Sequence, residues 1–288
     1  MQYHVNGDLV DADDAAVSVE DRGFLYGDAA FETLRAYGGA VFEWDAHRDR
    51  LERTCETLGM SGATPDDLHD RIAATLDAND CDDAYVRVSV TRGAQPGKLT
   101  PDPEVTPTVV VIVKPLPRGG TEGESVWDDP ATVHTVETRR IPEAAMPADA
   151  KTHNYLDGIL ARLELRETEA DEALVRDTEG FVAEGATSNV FFVDDGVLRT
   201  PARTEPILPG VTRAVVLDLA EEAGIPVETG RYDLEAVRAA DEAFLTNTTW
   251  EVRPVERLDG VAVGGGPITD RLAEAFDRRI DTWYDGGE

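Results

Sequence analysis

Apolar positions in this chain switch between a period of two and a period near 3.6, and the switches mark its elements. Residues 31–37, rich in aromatic and β-favouring side chains, turn at Gly38-Gly39 into 41–44 and predict a β-hairpin. From 45 to 58 the apolar residues recur at helical spacing until Gly59, and a second helix is expected to start at Thr64-Pro65. Residues 84–91 alternate cleanly, with Val86, Val88 and Val90 on one face and Tyr85, Arg87, Ser89 and Thr91 on the other. A continuous apolar run over 108–113 predicts a buried strand, and the Pro- and Gly-rich stretch that follows it is the best domain boundary. Beyond it come a helix near 154–168 with Leu156, Ile159, Leu160 and Leu163 on one face, and short strands between 173 and 198. A helix over 212–223, a buried strand over 242–245 and a final helix over about 268–284 complete the pattern. Strands and helices mix without a strict βαβ rhythm, so an α+β (mixed α/β) chain of two domains is expected, with a site in the cleft between them. The expected division is a small domain at 1–114, a linker at 115–125 and a larger domain at 126–288 that carries Lys151.

Composition narrows the function classes. The 288 residues hold 27 Lys+Arg against 58 Asp+Glu, a formal charge of −31. Phosphate attraction needs basic surface, so binding to nucleic acid or to an anionic membrane is not expected. The longest apolar run, 109–113, is far short of the roughly 20 residues of a membrane span. Neither end shows a charged-then-apolar signal, and a cytoplasmic location is the expectation. Cys55 and Cys81 have no metal-ligand spacing and read as small core residues; no metal site is expected. Only three of the basic residues are lysines, at 98, 114 and 151, while acidic residues coat nearly every predicted helix. This reads as adaptation to molar salt, where the Debye length falls to about 3 Å and dense like charge becomes tolerable.

Four places break the structural pattern. Arg50 lies within the inward stripe 47, 51, 54, 55 and 58 of its helix. Either it binds an anion, or its stem packs while its guanidinium reaches an Asp or water. In Leu208-Pro-Gly-Val-Thr-Arg213 a glycine turn opens a helix whose free N–H groups suit a phosphate; Thr212 serves equally as a plain N-cap. Thr246-Asn-Thr-Thr-Trp250 clusters hydroxyls at a strand end, as a site or as a polar turn. Glu184 before Gly185-Ala186 reads as a carboxylate at a bulge, or as an exposed strand Glu in an acid-rich chain. A chain that has discarded most lysines keeps those it cannot replace, and Lys151 stands near a predicted helix start, where the dipole disfavours it. Lysine amines form Schiff bases, and an arginine with a helix-start anion site points to a phosphorylated aldehyde. Pyridoxal 5'-phosphate fits all four features.

Seven segments in this order resemble the class IV (fold-type IV) pyridoxal-phosphate enzymes, the branched-chain and D-amino-acid aminotransferases and the aminodeoxychorismate lyases. They are Asp21-Arg-Gly-Phe-Leu-Tyr-Gly-Asp28, Phe31-Glu-Thr-Leu-Arg35, His47-Arg-Asp-Arg-Leu51, Lys151-Thr-His-Asn-Tyr155, Glu184-Gly-Ala-Thr-Ser-Asn-Val190, Leu208-Pro-Gly-Val-Thr-Arg213 and the stretch 246–254. The resemblance implies that Lys151 is the Schiff-base lysine, Arg50 a phosphate ligand and Glu184 the partner of the pyridine nitrogen. It further implies Val211, Thr212 and Thr248 as phosphate contacts, Leu208 as the residue packing on the ring and Tyr155 as the tyrosine near its phenolic oxygen. Phe31, Arg35, Tyr85, Arg87, Thr249 and Trp250 resemble the substrate-contacting positions of branched-chain aminotransferases. The segments 229–236, 240–243 and 170–173 look closer to the lyases, which release pyruvate and p-aminobenzoate. The loop after Gly93 lacks the Arg-x-His carboxylate trap of D-amino-acid aminotransferases. Transfer of an amino group between a branched-chain amino acid and a 2-oxo acid is the expected activity, the lyase reaction its alternative. A silent scaffold member is a remote third, since such a member would have lost Lys151 or Glu184. The resemblance also implies a homodimer.

Overall fold

The computed structural model describes residues 1–121 and 124–284. Within them the chain forms two compact units, one of residues 1–126, 150–154 and 283 onward, the other of 127–149 and 155–282. The first contains β1 (Gln2–Val5), β2 (Asp8–Asp11), α1 (Arg22–Tyr26), β3 (Ala29–Tyr37) and β4 (Ala40–Val41). It continues through α2 (Trp44–Thr57), α3 (Leu68–Ala78), β5 (Ala84–Thr91) and β6 (Thr108–Pro115). Its strands form one sheet in the order β2-β1-β6-β5-β3-β4. The face bearing Ala30, Leu34, Val86, Val88, Val90, Val111 and Val113 joins Leu51 and Cys55 of α2 and Leu68, Ile72 and Leu76 of α3 in one core. That burial is why the alternation over 84–91 survives as a strand with the predicted bounds.

Where the elements differ from the pattern, backbone geometry gives the reason. The predicted second arm of the hairpin shrinks to β4, because Glu43 turns into the left-handed region (φ 50°) and Trp44 opens α2. The second helix begins at Leu68 rather than at Thr64-Pro65, with the Leu68 N–H closing a turn on the Pro65 carbonyl (3.2 Å). The break at 115–125, of which residues 122–123 lie outside the described residues, is not the whole boundary, because Lys151 belongs with the first unit. β4 pairs only with Ala36 and Tyr37, so the start of β3 has a free edge. Residues 151–153 fill it: Phe31 N–H donates to the Lys151 carbonyl (3.0 Å), His153 N–H donates to the Ala29 carbonyl (2.9 Å), and Thr152 bridges Ala30.

The second unit contains β7 (Ala131–Arg139), α4 (Leu156–Glu164), β8 (Glu172–Arg176), β9 (Val182–Gly185), β10 (Asn189–Asp194) and β11 (Val197–Pro201). There follow α5 (Val211–Glu222), β12 (Val227–Gly230), α6 (Leu234–Arg238), β13 (Glu242–Asn247), β14 (Glu251–Leu258), β15 (Val261–Ala262) and α7 (Pro267–Tyr284). The strands run β12-β11-β10-β13-β14-β7-β8-β9, with β15 beside β14. Val133, Leu174, Val190, Phe192, Leu245 and Val255 form the core, and Phe191 stacks on Phe244 at 4.9 Å. Glu242 caps α7 by accepting the Ile268 and Thr269 N–H groups (3.1 and 2.7 Å). The helix expected over 154–168 is shorter. It buries Gly158 and Ala161, whereas Leu156, Ile159, Leu160 and Leu163 are 40–64% exposed, so its apolar face is the solvent side. Lys151 lies five residues before its start, which removes the dipole argument made for that lysine.

Candidate functional site

In the first unit the candidates fall on the two faces of one sheet. β3 and β5 are antiparallel, with Phe31 opposite Ser89, Thr33 opposite Arg87 and Arg35 opposite Tyr85, so these side chains share a face. On it the Arg87 guanidinium stacks over the Phe31 ring (4.0 Å to the centroid), and the Lys151 amine lies 4.6 Å from the same centroid. Cation and ring attract through the ring quadrupole, which holds both amine and guanidinium at this end of β3. Arg35 and Tyr85 stand further along the strands, where Arg35 donates to the Leu116 carbonyl (3.2 Å). His153 was not singled out by the sequence pattern; its ring packs edge-on to Phe31 at 5.6 Å.

The face toward α2 carries Arg50. The sequence left open whether its guanidinium meets an anion, an Asp or water; in the structure it meets Glu32, with Nε and Nη2 donating to the two carboxylate oxygens at 2.7 Å each. Glu32 also accepts from Nδ1 of His47 (2.8 Å). All three are buried. Burial alone would raise the Glu32 pKa, but the charge and hydrogen bonds of Arg50 overcome it and bring it down to about 2. Burial lowers that of His47, against the pull of Glu32, so His47 donates as a neutral ring. Thr54 connects this helix to the lysine segment: its hydroxyl donates to the Arg50 carbonyl (2.9 Å) and accepts the Lys151 N–H (3.0 Å).

In the second unit Glu184, Leu208, α5 and the 246–250 turn are tied through Asn189. Glu184 is buried at 6% exposure, which settles against an exposed strand Glu. Its Oε2 accepts from the Leu208 N–H (3.0 Å) and Asn189 Nδ2 (3.1 Å), and its Oε1 lies 3.2 Å from Nε of Arg140. Arg140 in turn holds Asp157 at 2.7 Å. Burial opposes its charge, but Glu184 and Asp157 more than offset that and raise its pKa. Neither Arg140 nor Asp157 was legible as a site residue: no element was expected around Arg140, and Asp157 falls within what read as an ordinary amphipathic helix.

Helix α5 is capped by Gly210, not by Thr212, which sits in the first turn; among the described residues no side chain caps its N–H groups. A Cβ on Gly210 would stand 2.1 Å from Asn189 Oδ1, so glycine is required where the helix start meets the Glu184 network. Asn189 pairs across the ladder with Thr246, whose buried hydroxyl has no hydrogen-bond partner among the described residues. Thr248 and Thr249 lie in the turn between β13 and β14. Asn247 Oδ1 accepts from the Thr249 and Trp250 N–H groups (3.0 and 2.7 Å), an Asx turn, and Asn247 Nδ2 donates to the Thr187 carbonyl (3.3 Å). The Arg253 guanidinium lies over the Trp250 ring at 5.0 Å from its centroid. Tyr155 precedes α4, with its ring beside Gly158. A buried carboxylate, a helix start with open N–H groups and threonine hydroxyls form a donor set that suits a phosphorylated, protonated pyridine. Among the described residues no group of three or more His, Cys, Asp or Glu is placed to hold a metal ion, and no helix is long and apolar enough to cross a membrane.

Known proteins share this fold. The amino-transferase class IV family model matches residues 29–258. A Methanocaldococcus jannaschii protein, provisionally named a branched-chain-amino-acid aminotransferase, is 39% identical over 98% of each chain. A D-alanine aminotransferase of Staphylococcus haemolyticus is 32% identical over 96% of this chain and 97% of its own. Among solved structures, the branched-chain aminotransferase of the thermophilic archaeon Thermoproteus uzoniensis with norvaline superposes with a TM-score of 0.90 at 32% identity, covering 97% of this chain and 94% of that one. The 4-amino-4-deoxychorismate lyase of Pseudomonas aeruginosa gives 0.83 at 30% identity, covering 97% and 99%. The architecture is thus that of the fold-type IV enzymes. The chain belongs to the class IV aminotransferase family.

Proposed function

We propose that this protein is a pyridoxal-phosphate-dependent aminotransferase that moves an amino group between a branched-chain amino acid and a 2-oxo acid, with Lys151 as its catalytic amine. The observation that carries the reading is the end of β3, where one of only three lysines in the chain faces Phe31 beside the Arg87 guanidinium. An amine and a carboxylate receptor on one ring suit an amino-acid substrate. The similarity to the M. jannaschii protein over nearly the full chain supports the same choice.

Bound, pyridoxal phosphate would supply the aldehyde and the electron sink that the protein lacks. Lys151 would hold it and carry the proton to and from the substrate Cα. Glu184, already oriented by three donors, would accept the ring N–H and keep its positive charge in place. Val211 and Thr212 at the start of α5, with Thr248 and Arg50, would bind the phosphate; Leu208 would back the ring and Tyr155 would face its phenolic oxygen. Phe31, Arg35, Tyr85, Arg87, Thr249 and Trp250 would contact the substrate. The exposed apolar face of α4 supports a homodimer, since four large aliphatic side chains on one stripe need cover. A soluble cytoplasmic enzyme adapted to high salt completes the reading.

Two other readings have specific support. The lyase similarity favours pyruvate release from aminodeoxychorismate, and the D-alanine aminotransferase similarity favours D-amino acids despite the missing Arg-x-His trap. The test is a paired assay: the protein given leucine with 2-oxoglutarate, D-alanine with 2-oxoglutarate, or aminodeoxychorismate alone. Glutamate formed fastest from leucine supports the proposal; p-aminobenzoate without glutamate, or preference for D-alanine, replaces it. Borohydride reduction followed by peptide mapping should label Lys151, and Lys151→Ala should abolish both label and turnover, by more than about 10³-fold. A label elsewhere, or none, overturns it.

A further inference from the structure

Arg87 differs from three buried arginines of its unit. Arg22, Arg50 and Arg92 each sit on a carboxylate. Among the described residues Arg87 has no acidic partner: its contacts are the Phe31 ring and, at 3.5 Å from Nη2, the Nε2 of His153. In a chain with 58 acidic residues, an arginine kept off every carboxylate is one whose charge is being reserved.

The imidazole is placed to do this. Residues 151–153 are pinned along the edge of β3, so the His153 ring is delivered to the face that carries Arg87 and Ser89, two residues apart on β5. Ser89 Oγ lies 3.2 Å from the same Nε2. A guanidinium can only donate, so Nε2 must be the lone-pair nitrogen, and the serine hydroxyl donates to it as well. Burial, followed by the Arg87 charge, pushes the His153 pKa down to about 4 against a smaller opposing pull from Asp21, so the ring is neutral at neutral pH. A carboxylate in this place would hold Arg87 equally well but cancel its charge. A neutral acceptor orients the fork and leaves the charge intact.

We infer that His153 is a positioning residue for substrate specificity: it holds Arg87 against Phe31 through a neutral acceptor, so that the guanidinium keeps its full charge for the second carboxylate of a dicarboxylic substrate. This rests on the aminotransferase reading for the presence of such a substrate, and its test is made by binding so that the two can fail separately.

The experiment is calorimetric titration of the protein, kept in pyridoxal phosphate, with glutarate and with 4-methylvalerate, in wild type, His153→Asn and His153→Asp. The two variants have nearly the same shape and both can accept from Arg87; only the second neutralises it. The expected result is glutarate affinity within about threefold of wild type for Asn and lowered at least tenfold for Asp, with 4-methylvalerate changed by less than about threefold in both. Equal effects of Asn and Asp, equal loss of both ligands, or no change overturns the inference. His153→Leu is the independent arm should the Asp variant not fold: loss of the tether without added charge should weaken glutarate selectively, and an unselective or absent effect overturns the inference. Transamination assayed separately on wild type reports on the activity: selective glutarate loss in an inactive protein would sink the aminotransferase reading and leave the role of His153 standing.

Discussion

Glu32 shows how much one buried charge can demand of its neighbours. It is fully desolvated, yet ionised, because Arg50 meets both of its oxygens and His47 adds a third donor. Its pKa of about 2 lies below the ordinary value, so the unfolded chain binds more protons than the folded one between about pH 4.5 and 2. The stability it contributes is therefore complete above that window and lost as pH falls through it. Removing one partner leaves the other buried and unpaired, so Glu32→Gln should cost about 3–5 kcal/mol at neutral pH. Thermal melting across pH 3–7 checks both points: the difference between wild type and variant should shrink toward acid, and a constant difference would contradict the assignment. The sequence marked Arg50 as an arginine in an apolar stripe, because helical periodicity exposes such a misfit. It could not identify Glu32 as the partner, since residues 18 apart meet only when α2 packs on β3.

At the scale of elements, the second unit concentrates its chemistry where strands and a helix begin or end. Asn189 at the start of β10 binds both Glu184 and the Leu208 carbonyl, and Gly210 fits beside it only because it has no side chain. Gly210→Ala should therefore push Asn189 aside, slacken Glu184 and shift the N-terminus of α5. Pyridoxal phosphate affinity, followed by absorbance titration, should fall about tenfold or more, while the melting temperature of the cofactor-free protein changes far less. Unchanged cofactor affinity would show that the Asn189 link does not matter. Part of this was visible beforehand: Glu184 before Gly185-Ala186 and the glycine turn that opens a periodic helix at Gly210 stood out as breaks in the local pattern. Arg140 escaped because nothing local distinguishes a charged residue at a strand end from any other surface arginine. The bounds of α4 were missed for a related reason. Its leucine stripe has the period of a core-facing helix, but Gly158 and Ala161 are the residues that pack inward, and periodicity cannot say which side is wet.

For the molecule as a whole, the charge of −31 makes salt the variable to test. Repulsion among acidic side chains reaches about 10 Å at 0.1 M salt and about 3 Å at 1 M. Raising potassium chloride from 0.1 to 2 M should thus raise the melting temperature by roughly 10 °C, the equivalent of a few kcal/mol for a chain of this size. Sedimentation in the same series should give the mass of a dimer at high salt, and Ile159→Glu should yield a monomer. A flat melting curve against salt, or a variant that keeps its wild-type mass, would remove the salt or the α4 argument respectively. By itself the sequence determined the class of fold, the family and the chemical types at the site, because periodicity, glycine turns and residue scarcity are local properties of a chain. Tertiary structure alone decided which charges meet. It placed Lys151 on the edge of β3 and not at a helix start, bound Arg50 to Glu32, and left Arg87 with a neutral histidine; the energy of an ion pair or an unpaired cation depends on distance and burial, which residues far apart in sequence acquire only on folding.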